Sequence, residues 1–100
     1  LIKTLRREFK APSAKFVVAT LGQTVRNAPP GNEKLILDGQ LAVDGASGKY
    51  PEFRGNVATV YTHPLSQGGA SNSHYDGNSQ TYMDIGEAMG EAMVGLLKNE

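Results

Sequence analysis

Phe16-Val-Val-Ala-Thr-Leu21 is an uninterrupted apolar and β-branched run, and it narrows the possible folds more than any other stretch of the chain. A strand with one wet face alternates apolar and polar residues; a run without alternation suits a strand covered on both faces, as in a parallel sheet flanked by helices. Pro12 lies before the run and Gly22 closes it. Asn56-Val-Ala-Thr-Val-Tyr61 alternates β-branched and small residues and reads as a second strand. Between the two, Pro29-Pro30-Gly31 demands a loop. Leu35, Leu37, Leu41 and Ala42 then predict a helix to about Val43, with Asn32 as its cap and Glu33 favourable in its first turn. A second loop, with Gly45, Gly48 and Pro51, covers Asp44 to Gly55.

Leu1, Leu5 and Phe9 recur at helical spacing among Lys3, Arg6, Arg7 and Glu8, which predicts an amphipathic helix that Pro12 prevents from continuing. At the other end Tyr82, Ile85, Met89, Met93 and Leu96 form one stripe of a helix, with Glu87, Glu91 and Lys98 off it. The order helix, strand, helix, strand, helix is that of a doubly wound α/β sheet. Two strands do not finish such a sheet, because a strand as apolar as 16–21 wants neighbours on its edges. The expectation is therefore an α/β chain with an incomplete parallel sheet. Residues 1–100 would form the C-terminal part of a single domain, beginning mid-domain without an initiator Met, with the remaining strands supplied upstream or by another chain.

Lys plus Arg and Asp plus Glu both number 10, so the formal net charge is zero and no field steers the chain to nucleic acid or an anionic membrane. No membrane-spanning run or signal-peptide core is present. The absence of cysteine removes disulfides, thiolate zinc sites and cysteine nucleophiles.

In an open α/β sheet the ligand sits beyond the carboxyl ends of the strands, which makes the loops after Leu21 and Tyr61 the site candidates. The second loop holds both histidines. His74 follows a Gly- and Ser-rich stretch and stands just ahead of the last helix, where an imidazole can reach a crevice; His63 directly follows the strand and reads more simply as a strand-capping or solvent-facing residue. Ser71 and Ser73 lie near His74, but no Gly-x-Ser-x-Gly elbow exists. Asp76, Asn78, Gln80 and Glu87 have the spacing of some calcium-loop ligands without the glycine such a loop needs at its sixth position, where Thr81 stands, so no metal site is expected. Gly86-x-x-x-Gly90 on a helix bearing Glu87 and Glu91 fits close packing on a sheet better than membrane pairing.

His74-Tyr75, Asn78, Thr81-Tyr82 and Gly86-Glu-Ala-Met-Gly-Glu-Ala-Met93 resemble the C-terminal signature of the sialate O-acetylesterase-like carbohydrate esterases of the SGNH hydrolase superfamily. Phe16-Val-Val-Ala-Thr, Gln40-Leu-Ala-Val, Tyr50-Pro-Glu-Phe and Gly55-Asn-Val are similar to the same family, so the likeness spans nearly the whole chain and corresponds to about the last third of such a domain. It implies a flavodoxin-like three-layer α/β/α fold and a cofactor-free serine esterase that removes acetyl groups from carbohydrates, in a secreted or periplasmic setting. It also implies His74 as general base, taking the serine proton and returning it to the leaving sugar alkoxide by way of an acyl-enzyme, with Tyr75 and Asn78 beside the substrate. The family's serine and oxyanion-hole blocks match nothing here, so the chain alone is expected to be inactive. The Asp that usually precedes the His by three residues is replaced by Ser71; Asp76 from the other side, or a backbone carbonyl, are the alternatives for orienting the ring. The rival from another class is a non-catalytic carbohydrate-binding or interaction module in which Tyr61, His74, Tyr75 and Asn78 only hold a ligand.

Overall fold

Val57, at the start of the second strand, is 2% exposed and packs with Ile2 and Phe53 into a small core against which Phe16 and Val43 lie. A computed structural model describes residues 1–67 and 71–98, apart from the side chains of residues 71–73. In chain order it contains α1 (Ile2–Glu8), β1 (Phe16–Ala19), α2 (Asn32–Ala42), β2 (Val57–Val60) and α3 (Ser79–Leu97), with short 3-10 turns at Gly45–Ser47, Pro51–Phe53, His63–Leu65 and Ser71–Gly77. The chain is thus a compact α/β protein whose described residues form a two-stranded parallel sheet and three α-helices. β1 and β2 pair in the register Phe16 with Val57 through Ala19 with Val60, joined by the crossover that carries α2.

Side chains alternate across the pleat, so Phe16, Val18, Val57 and Thr59 share one face and Val17, Ala19, Ala58 and Val60 the other. The first face meets Ile2 and Phe53, and Thr59 Oγ1 donates to the Gln40 carbonyl of α2 at 2.7 Å. α3 packs along both strands. Helix α1 is tied down by Arg6, whose guanidinium donates to the Ala14 carbonyl at 2.7 Å and to Asn56 Oδ1 at 2.9 Å and lies over the rings of Phe16 and Phe53.

Several details differ from the pattern in the sequence. All of β1 is half-buried rather than covered on both faces: β2 pairs with one of its edges, and no strand among the described residues lies along the other. In α1 it is Ile2 that turns inward, while Leu1 and Phe9 are 92% and 76% exposed. Gly31 rather than Asn32 occupies the cap position of α2, and no side chain bonds the first turn there. On α3, Thr81 and Leu96 are buried, Ile85, Met89 and Met93 are half-buried, and Tyr82 is exposed.

Candidate functional site

A threonine follows each strand, Thr20 immediately after β1 and Thr62 two residues after β2, and the two are latched together. Thr62 donates its backbone N–H to Thr20 Oγ1 at 3.0 Å and its hydroxyl to the Thr20 carbonyl at 2.8 Å, with both residues buried. The latch holds the two carboxyl ends side by side, so that Gly22 after β1 and His63 after β2 meet: His63 Nδ1 lies 2.7 Å from the Gly22 carbonyl oxygen. Ser66 spends its hydroxyl on backbone carbonyls, 3.2 Å from Thr62 O and 3.5 Å from Gly22 O.

Gly22 is also the seat of Tyr75. A β-carbon at position 22 would run into the Tyr75 hydroxyl and come within 2.6 Å of Ser66 Oγ, so the backbone must be bare here for Tyr75 to bury itself. With Tyr75 pinned, the neighbouring His74 is carried to the carboxyl side of the sheet with its imidazole exposed. Tyr82, one turn into α3, donates its hydroxyl to the His74 carbonyl at 3.0 Å and sets its ring edge-on to Tyr75, 5.5 Å between centroids.

The backbone that does this is unusual. His74, Tyr75, Asp76 and Gly77 have φ of 54°, 53°, 51° and 71°, four consecutive left-handed residues of which only the last is a glycine. Left-handed geometry costs about 1–2 kcal/mol for each ordinary residue, so it persists only where surroundings over-determine it. Tyr75 burial, the Tyr82 bond, and an Asn78 N–H to Tyr75 carbonyl bond of 2.9 Å supply that constraint. The loop is then stopped by α3: Asn78 Oδ1 accepts from the Thr81 N–H and the Thr81 hydroxyl, both at 2.8 Å. Thr81, wholly buried, in turn accepts the Gln67 N–H at 2.9 Å and so joins both ends of the loop.

The residues expected around His74 are therefore distributed as follows. Tyr75 is buried and anchors the loop. Asn78 uses its carbonyl oxygen as the cap of α3, leaving its amide nitrogen without a partner among the described residues. Asp76 is exposed and makes no hydrogen bond or ion pair with His74 among the described residues. Ser71 falls in the 3-10 turn that leads to His74, and its side chain lies outside the described ones. No described side chain hydrogen-bonds the His74 ring. No cluster of three or more His, Cys, Asp or Glu suited to a metal exists among the described residues, and no described helix is long and apolar enough to cross a membrane.

The sequence pattern marked Gly22 only as the close of the first strand and His63 as a strand-capping or solvent-facing residue, and it singled out neither Thr20 nor Thr62. The signal was the coincidence of Thr20-Leu-Gly22 and Thr62-His63 just beyond the ends of two parallel strands, which pairs threonine with threonine and glycine with histidine once the register is known. No family model matches the chain, and neither a curated protein nor a solved structure matches it.

Proposed function

We propose that residues 1–100 supply the general base of a carbohydrate O-acetylesterase of SGNH type, with His74 as that base and the serine nucleophile and oxyanion hole contributed by protein outside these residues. One observation carries the proposal: an exposed imidazole stands at the carboxyl ends of a parallel pair, on a left-handed turn whose cost is met by Tyr75, Tyr82 and Asn78. A free histidine on an ordinary loop needs none of that support, whereas a base must be held within reach of the proton it takes. The likeness of the 74–93 segment to acetylesterases of carbohydrates supplies the reaction class. The flavodoxin-like three-layer arrangement belongs to the same proposal.

Chemically, a neutral His74 would accept the serine proton as the hydroxyl attacks the acetyl carbonyl, and would hand it to the sugar oxygen as the ester bond breaks; water would then release acetate by the same proton path. A second reading, sugar binding without catalysis, is favoured by the lack of any described group that orients the His74 ring. The two are separated by following the His74 imidazole signals by NMR while adding an O-acetylated methyl glycoside or the same glycoside without its acetyl group. A base at the ester responds to the acetylated sugar and not to its parent. An equal response to both supports the binding module, and no response to either contradicts both readings.

A further inference from the structure

The His63 ring has the hydrogen-bonded orientation that the His74 ring lacks among the described residues. Its Nδ1 lies 2.7 Å from the Gly22 carbonyl, and since a carbonyl oxygen only accepts, the proton is on Nδ1 and the neutral ring offers Nε2 as an acceptor. No described residue bonds Nε2. The half-buried ring lies 6.3 Å from that of Tyr61, over which the Arg26 guanidinium sits at 4.7 Å, and the Arg26 N–H donates to the Tyr61 hydroxyl at 3.0 Å. Directly after Gly22, Gln23 Oε1 and Thr24 Oγ1 are buried with no partner among the described residues, and Thr24 is only 2% exposed. Unspent buried polar atoms are costly, about 1–3 kcal/mol each, and mark a place where a hydrogen-bonding group is wanted.

These groups occupy the carboxyl ends of both strands, where open α/β sheets take their ligands. They combine an aromatic ring, a planar cation and a preset acceptor, the set of surfaces that matches a sugar: C–H bonds against the ring and hydroxyls to the polar atoms. We infer that His63 is a carbohydrate-contacting residue whose Nε2 accepts a hydrogen bond from a sugar hydroxyl, with Tyr61 and Arg26 beside it. The inference takes its ligand class from the carbohydrate reading above but does not depend on His74 being a base.

The test measures binding of methyl β-xyloside, methyl α-glucoside and their O-acetyl esters to the chain by NMR, in the parent and in His63→Asn. Asparagine places an amide N–H where Nδ1–H was and keeps the Gly22 bond, but offers nothing in place of Nε2. The expected result is movement of the His63 nitrogen signals on adding glycoside, and binding about 3–10-fold weaker in His63→Asn with an otherwise unchanged amide spectrum. Undiminished binding in His63→Asn, unmoved His63 signals at saturation, or no binding of any of these glycosides overturns it. If His63→Asn does not fold, the parent's His63 signals decide alone. Movement at His63 without movement at His74 sustains this inference and defeats the general-base proposal; movement at His74 alone does the reverse.

Discussion

The Tyr75 hydroxyl packs against the α-carbon of Gly22 with no space for a β-carbon between them. This contact ties the loop ahead of α3 to the end of β1, 53 positions away in sequence, and it is what brings the His74 turn over the strand ends. Replacing Gly22 with alanine adds one methyl group at a point occupied by Tyr75 and approached to 2.6 Å by Ser66 Oγ. Overpacking of this kind costs about 1–3 kcal/mol. Gly22→Ala is expected to lower the urea midpoint accordingly and to speed proteolytic cutting before α3; stability and cutting equal to the parent would remove Gly22 from the explanation.

Thr62→Val keeps the shape of the side chain and removes the hydroxyl that donates to the buried Thr20 carbonyl. A buried acceptor left without its donor costs about 1–3 kcal/mol. Thr20→Val removes the acceptor of the Thr62 N–H and is expected to cost a similar amount. Because both bonds belong to one latch, the double variant should lose less than the sum of the two, with a coupling of at least about 0.5 kcal/mol in a double-mutant cycle. Strict additivity would mean that the strand ends are held independently.

His74→Gly is expected to stabilise the fold. The imidazole is exposed and has no hydrogen-bond partner among the described residues, so removing it sacrifices little, while glycine adopts φ of 54° without the β-carbon penalty. A gain of about 1 kcal/mol corresponds to a rise of about 4–8 °C in Tm for a chain of this size. Thermal unfolding of the two proteins reads this directly. A fall in Tm would mean that His74 is retained for the fold rather than for chemistry.

The parallel pair was legible because Phe16–Ala19 and Val57–Val60 carry their β-branched residues in short runs bounded by Gly and loop residues, and because a helix-forming segment lies between them. Burial was harder to read. Leu1 and Phe9 have the right spacing for a core face, but the helix is only seven residues long and is rotated by the Arg6 anchor so that Ile2 meets Phe53 instead. At the site, the sequence marks His74 through its neighbours but contains nothing local that announces the Gly22 contact or the left-handed run. Both depend on where Tyr75 lands after the chain has folded back onto β1, which is a tertiary choice overriding local preference. His63 and Gly22 likewise become partners only through the register of two strands that are far apart in sequence.

The most direct measurement is hydrolysis of a small acetyl ester by residues 1–100 and by His74→Ala at matched folded concentration. If His74 is the base and the nucleophile lies elsewhere, as proposed, neither protein is expected to turn the ester over above the buffer rate. Turnover by the parent that His74→Ala abolishes would contradict the claim that the nucleophile lies outside these residues, and turnover that survives the substitution would contradict His74 as the base.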